Sequence, residues 1–302
     1  MTQGEVSGYW RSESGREGVL AGSADPSALF PYWSFTKTVI AAAVLKLVEQ
    51  GQADLDAPLP DAAYSLRQLL AHRAGLPDYG PLPAYHAAVS AGESAWPRDL
   101  LVARAMERGM LWPPGQGFAY SNVGYLFLRE GIEAATGQGL GAALEALILA
   151  PLGLASVRLW EGPTMGRDLH WSAAVGYDPA WVYHGCLIGT ARDAVTLLDA
   201  LLKGDLLPAP LRREMQSAYP VGGALPGRPW ERCGYGLGLM IGEATGAGAT
   251  LGHSGVGPFC VNAVYHFPAL ADPVTVAAFS DGSDEAPVEH AAVQAALAKQ
   301  NA

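Results

Sequence analysis

The segment from Ser34 to Gln50 constrains this chain more than any other. Val39, Ile40, Leu45, Leu47 and Val48, with the small apolar run 41–44 between them, put hydrophobic side chains on every face of a 3.6-residue period, and Gly51 ends the run. A helix that is apolar all round has no side for water, so other elements must enclose it. The remaining sequence has to supply that enclosure on several sides.

It does so in an informative order. Residues 1–30 are rich in Gly and Ser, with short apolar patches such as residues 18–22, and read as strands and turns. Several punctuated helices follow the central one. Ser65 and Gln68 form a capping box that opens a helix at 66–72, and Gly75 with Pro77 closes it. Residues 97–108 read as a helix. Ser121 or Asn122 caps one at 123–135 that stops at Gly137, and another at 140–149 stops at Pro151. Thr190 with Asp193 opens a helix at 194–202 that ends at Gly204. Beyond about residue 230 the period changes. Residues 235–242, 250–253, 260–267 and 274–279 are short, β-branched or alternating runs between Gly and Pro, as antiparallel strands require, and 285–298 closes as a helix. The expected class is α+β. An antiparallel sheet flanked by helices is built from both chain ends, residues 1–57 and 230–302, with a mostly helical domain, 58–229, inserted between them.

Charge and composition exclude some functions. The formal net charge of -10 argues against a nucleic-acid partner, which calls for a basic face. The N-terminal residues lack a basic stretch followed by an apolar one, and no uninterrupted apolar run reaches spanning length. The sequence therefore leads us to expect a cytoplasmic protein without a membrane partner. The three cysteines, Cys186, Cys233 and Cys260, are odd in number and widely spaced, which fits reduced thiols rather than a disulfide framework. The seven histidines show no H-x-H or H-E-x-x-H spacing, so a metallohydrolase is not expected.

Three short motifs carry possible chemistry. In Ser34-Phe35-Thr36-Lys37, residues three apart on a helix share a face, so the lysine amine can reach the serine oxygen. A serine hydroxyl needs a base before it attacks a carbonyl. A lysine supplies one if burial keeps it partly neutral. The alternative is a Ser cap beside a snorkelling lysine. Of the lysines at 37, 46, 203 and 299, only Lys37 has a serine three residues earlier. The second motif, Tyr120-Ser121-Asn122, sits at a turn-to-helix junction. Tyr120 can relay a proton and Asn122 can hold a substrate or the lysine; a core tyrosine followed by a helix cap is the other reading. The third, Gly252-His253-Ser254-Gly255-Val256, falls on an expected strand. There Gly255 would let a substrate lie along the edge, and the amide of Val256 would join that of Ser34 around an oxyanion. A turn with a surface histidine is the alternative.

Taken in order, Ser34-x-x-Lys37, Tyr120-x-Asn122 and His253-Ser254-Gly255 resemble the three signatures of the serine β-lactamase and D,D-peptidase (penicillin-recognising) superfamily. The branch they most resemble holds the class C β-lactamase-related esterases and peptidases, where the third motif is often His-x-Gly. The connecting text is similar too: Leu66-Arg67-Gln68-Leu69-Leu70-Ala71-His72-Arg73-Ala74-Gly75-Leu76-Pro77-Asp78-Tyr79, the block from Pro114 through Tyr125, Pro151-Leu152-Gly153-Leu154 and Tyr235-Gly236-Leu237-Gly238. The resemblance runs from about residue 30 to about 267. It implies a β-lactamase/transpeptidase-like fold with the site between sheet and helical domain. It also implies a serine hydrolase that passes through an acyl-enzyme on Ser34, with Lys37 and Tyr120 handling protons. Asn122, His253, Ser254, Gly255 and Val256 would contact substrate or oxyanion, and the implied substrates are small esters, amides or lactams. A β-lactamase, a D-amino-acid peptidase and a non-catalytic ligand-binding relative are the alternatives. An α/β-hydrolase is not, since the sequence around Ser254 fails G-x-S-x-G at its last position.

Two residues depart from the family pattern, Trp33 before the serine and Phe259 after Pro258, and both would reshape the pocket. His184 is a further pocket candidate, whereas His72 is expected to pack structurally. Where relatives carry a lysine, His253 at its ordinary pKa near 6.5 would be mostly neutral at pH 7.5 and would charge as pH falls. Uncharged short-chain esters or amides should therefore be turned over better than carboxylate-bearing β-lactams.

Overall fold

A computed structural model describes residues 6–300 apart from Ala24 and Asp61. Eleven strands are present among the described residues. They are β1 (Val6–Ser12), β2 (Glu17–Val19), β3 (Phe30–Pro31), β4 (Arg158–Leu159), β5 (Leu187–Gly189), β6 (Tyr219–Gly222), β7 (Trp230–Tyr235), β8 (Met240–Ala244), β9 (Gly248–Val256), β10 (Cys260–Phe267) and β11 (Val274–Asp281). The principal helices are α1 (Thr36–Glu49), α2 (Leu66–Leu70), α3 (Pro83–Ser90), α4 (Arg98–Ala105), α5 (Asn122–Thr136), α6 (Leu140–Leu144), α7 (Ala191–Leu202), α8 (Ala209–Met215) and α9 (Glu285–Ala298).

Eight strands form one sheet in the order β2-β1-β11-β10-β9-β8-β7-β6, antiparallel throughout. Early and late strands meet in it: β1 pairs with β11, Gly8 opposite Ala278. Side chains alternate across it, and both faces are covered, so β10 is buried along its whole length. Val261, Ala263, Tyr265 and Phe267 pack with Val288, Ala292, Val293 and Ala296 of α9. On the opposite face Val264, Ala277 and Phe279 join the larger core around α1. The class is thus α+β, an antiparallel sheet between helical layers. β6 and α7 fall within 58–229 yet belong to the sheet, β6 as its edge strand and α7 packed on β1, β10 and β11.

The central helix is enclosed as its composition demands. Every residue of α1 from Thr36 to Leu45 is buried, and α5 and α6 lie against it. The capping box at Ser65 and Gln68 forms, Ser121 rather than Asn122 caps α5, and Gly137 ends α5 in the left-handed conformation at φ 66°. The run 235–242 is not one strand. It is the hairpin between β7 and β8, turned at Gly236–Leu239, because Gly238 adopts φ 73° and a Cβ at Gly236 would lie 2.3 Å from the Met215 carbonyl oxygen. No single described helix is long and apolar enough to cross a membrane, though the pair 122–136 and 140–152, bent by 75°, passes together on length and composition.

Candidate active site

Ser34 stands in a 3₁₀ turn, Trp33–Phe35, that leads into α1. Within residues 31–40 it alone is not buried. The turn is strained, since Trp33 holds φ 43°, a left-handed conformation that a bulky side chain rarely adopts. Surrounding contacts keep it there. Trp33 donates from Nε1 to Cys260 Sγ at 3.1 Å, and its ring packs edge-on against Tyr177 and Phe259. Strain of this kind collects at functional sites.

One turn into the helix, Lys37 is 0% exposed and its Nζ lies 3.0 Å from Ser34 Oγ. Burial lowers its pKa from 10.5 to about 7, against a weaker opposing pull from the Asp78 carboxylate. The amine is therefore a base at neutral pH, already in contact with the hydroxyl it would deprotonate. The rings of Tyr120 and Tyr125 stand 5.0 and 5.7 Å from Nζ. Tyr120 hydrogen-bonds Ser34, and burial holds its phenol well above its usual 10.0. It is present as the neutral phenol, able to pass a proton but a poor resident base.

Asn122, at the head of α5, is fixed by Asp78. Its backbone N–H donates to Oδ1 at 2.8 Å and its side-chain amide to Oδ2 at 2.9 Å. Burial raises the Asp78 pKa above its usual value, while these bonds and Lys37 oppose the rise. His72, at φ 56°, accepts the Ser121 N–H on Nδ1 at 3.1 Å and stacks 4.2 Å from the Tyr120 ring. Burial keeps it neutral, in the packing role expected of it.

Strand β9 supplies the opposite wall, where one expectation is corrected. His253 is 2% exposed and does not line the cavity. Its Nδ1 donates to the Ser254 carbonyl, so Nε2 is the acceptor of a hydrogen bond from the Tyr235 hydroxyl at 2.9 Å. Burial lowers its pKa to about 3, so it stays neutral instead of charging near pH 6. Ser254 points to the other face of the sheet, donating to Glu285 at 2.6 Å. Neither residue lines the cavity over Ser34. Gly255 does what only a glycine can there. A Cβ would sit 2.9 Å from the Ser34 amide nitrogen and 2.8 Å from Trp33 Cβ. The backbone of 255–256 thus lies directly against the turn that carries Ser34.

A cavity of about 500 Å³ opens over Ser34, lined by Trp33, Tyr79, Tyr85, Tyr120, Asn122 and His184 among others, with Val256 at its rim. Phe259 is not part of that lining; it stands behind Trp33 with ring centroids 5.4 Å apart. His184 contacts Lys37, with Nε2 3.1 Å from Nζ. Asp78, Tyr235 and Glu285 went unnoticed in the sequence. Asp78 lies within the quoted Pro77-Asp78-Tyr79 stretch, whereas no local signal pairs Tyr235 with His253. Among the described residues no cluster of three His, Cys, Asp or Glu is placed to hold a metal ion.

A serine at the head of a buried helix, a lysine one turn on, and strand β9 pressed against the turn that carries the serine fit the β-lactamase/transpeptidase-like fold. The chain belongs to the Beta-lactamase family, whose model matches residues 6–300. It is 30% identical to Penicillin-binding protein 4* of Bacillus subtilis over 144 residues, 45% of this chain and 31% of that protein. With Esterase EstB of Burkholderia gladioli it shares 34% identity over 146 residues, 42% of this chain and 37% of that one. The matched stretches thus span about a third of those relatives' length. Among solved structures, the D-amino acid amidase of Ochrobactrum anthropi SV3 superposes with a TM-score of 0.81 at 24% identity, covering 98% of this chain and 95% of the amidase.

Proposed function

We propose that this chain is a serine hydrolase that cleaves small esters or amides through an acyl-enzyme on Ser34. The observation that carries the reading is the 3.0 Å contact between Ser34 Oγ and a fully buried Lys37 amine whose pKa is near neutral. Lys37 takes the hydroxyl proton as Oγ bonds the carbonyl carbon. The neutral Tyr120 phenol, hydrogen-bonded to Ser34, passes its proton to the leaving group and takes one from the Lys37 ammonium in exchange, so that the amine is neutral again. The amides of Ser34 and Val256 hold the oxyanion, a role supported by the close approach of Gly255 to the Ser34 nitrogen. Water then releases the acyl group. No metal or organic cofactor enters the scheme.

The surroundings favour an acyl donor without a carboxylate. His253 is neutral and turned away, the Ser254 hydroxyl is committed to Glu285, and the acidic Asp78 stands behind Asn122. That last contact also favours a second reading, an amidase for amino-acid amides, whose ammonium would be drawn toward Asp78. The test compares kcat/KM for p-nitrophenyl butyrate, phenylalanine amide of each hand, and nitrocefin at pH 6 and pH 8. Ester or amide turnover should exceed that of nitrocefin at both values. The nitrocefin rate should not rise at pH 6, because His253 does not charge there. Nitrocefin as the fastest substrate at pH 8 would make the chain a β-lactamase instead.

A further inference from the structure

His184 sits in the tight turn before β5, where the Gly185 N–H bonds the Val182 carbonyl at 2.7 Å and Gly185 adopts φ 92°. The turn drives the imidazole inward, 3% exposed, until Nε2 meets Lys37 Nζ at 3.1 Å. Its Nδ1 is buried and has no partner among the described residues. A buried imidazole with one nitrogen unsatisfied is costly, and His72 bears the same cost at Nε2, but of the two only His184 meets the Lys37 amine.

We infer that His184 is a positioning residue for the reaction, the hydrogen-bond acceptor that orients the Lys37 amine toward Ser34 and receives an N–H from the ammonium formed there. This rests on the reading of Ser34 and Lys37 as nucleophile and base. When the Ser34 proton moves to Nζ and Oγ bonds the carbonyl carbon, Lys37 becomes a buried ammonium. Such an ion needs acceptors in the low-dielectric interior. Ser34 Oγ is leaving that role as it becomes an ester oxygen, and His184 Nε2 remains. For Nε2 to accept, the ring proton must sit on Nδ1. Lys37 must then turn an N–H toward His184, which keeps its lone pair off the imidazole and free for Ser34.

His184 does not take the proton itself. Burial and the neighbouring Lys37 hold its pKa well below 6.5. The other groups around the pair leave this assignment in place. Cys186 stays a thiol, its pKa pushed up to about 12 by burial, and His72 and His253 are neutral. Asp78 and Glu285 raise the Lys37 pKa without being its hydrogen-bond partners, and Arg129 only lowers that of His184 further. The phenols of Tyr120 and Tyr125 stay protonated.

The test uses His184→Phe, which keeps a ring and loses the acceptor, and His184→Gln, whose side-chain oxygen reaches the Nε2 position. With p-nitrophenyl butyrate, His184→Phe should lower kcat about 10- to 100-fold, the loss expected for a hydrogen bond to a charged group, with KM changed less than about threefold. The acidic limb of kcat/KM should move to lower pH, because an ammonium without its acceptor gives up a proton more easily. His184→Gln should restore most of both. An unchanged kcat and limb in His184→Phe, a limb moved upward, or equal loss in both variants overturns the inference. Should His184→Phe fail to fold, ¹⁵N spectra of the histidine-labelled wild type decide, since a protonated Nε2 overturns it and a bare Nε2 supports it. Ser34→Ala and Lys37→Ala run alongside. Turnover surviving in them refutes the hydrolase reading itself, whereas their inactivity beside a normal His184→Phe refutes only the role of His184.

Discussion

Lys37→Met removes the buried amine and keeps most of its stem, and it should stabilise the protein while abolishing activity. An unfolded lysine titrates at the ordinary 10.5, whereas burial brings Lys37 to about 7 in the fold. Because the folded value is the lower one, the unfolded chain binds more protons between those two pH values. Stability therefore rises with pH across that window. Below pH 7 the full difference counts against folding, about 5 kcal/mol at 1.36 kcal/mol for each factor of ten. Methionine escapes that cost but forfeits the bonds to Ser34 and His184, worth about 1 kcal/mol each. The variant should thus be more stable by about 3 kcal/mol at pH 6. At pH 9.5 the folded amine is neutral and most of that cost has gone, so the advantage should vanish. Urea denaturation of both proteins at the two pH values measures the difference, in which every other titrating group largely cancels. An advantage of the same size at both pH values, or a methionine variant less stable at pH 6, would refute the claim that burial sets the lysine's pKa.

Three further substitutions probe the surroundings. Tyr120→Phe should lower kcat at least tenfold while KM changes little, since the phenol acts on proton transfer; a silent variant would leave Tyr120 as scaffolding. Gly255→Ala should cost at least tenfold in kcat, because the new Cβ would stand 2.9 Å from the Ser34 nitrogen and push the turn away; near-normal turnover would contradict the tight approach. Glu289, fully buried, accepts from Arg228, Trp230 and Tyr265, so Glu289→Ala should cost about 3–5 kcal/mol in urea unfolding without altering KM. A loss below about 1 kcal/mol would mean that water reaches the network.

Much of this architecture was legible because it is written in local chemistry. An all-round apolar run forces a buried helix, and Ser65 with Gln68, Thr190 and Gly137 mark helix ends by hydrogen bonds that form within a few residues. The closing helix falls at Glu285–Ala298, where its apolar period ends. The run 235–242 misled because Gly236 and Gly238 are ambiguous in sequence; only contacts with Met215 and Ala41 make them turn residues. The edge strand β6 has one partly buried residue, Tyr219, and three exposed ones, so it carries no alternating signal. At the site, the helix period brought Lys37 to Ser34. The strand period could say that His253 and Ser254 face opposite ways, but not that Tyr235 and Glu285 would claim them. Pairings across such distances depend on how the sheet lies on the helices, which no local pattern records.

The central claim is that Ser34 becomes acylated, and intact-protein mass spectrometry with peptide mapping tests it directly. After incubation with a serine-directed p-nitrophenyl phosphonate, the wild type should gain one adduct on the peptide that contains Ser34. Ser34→Ala should gain none and lose about 10³-fold or more in kcat toward p-nitrophenyl butyrate. An adduct on Ser254 or any other serine, or ester turnover that persists in Ser34→Ala, would contradict the account.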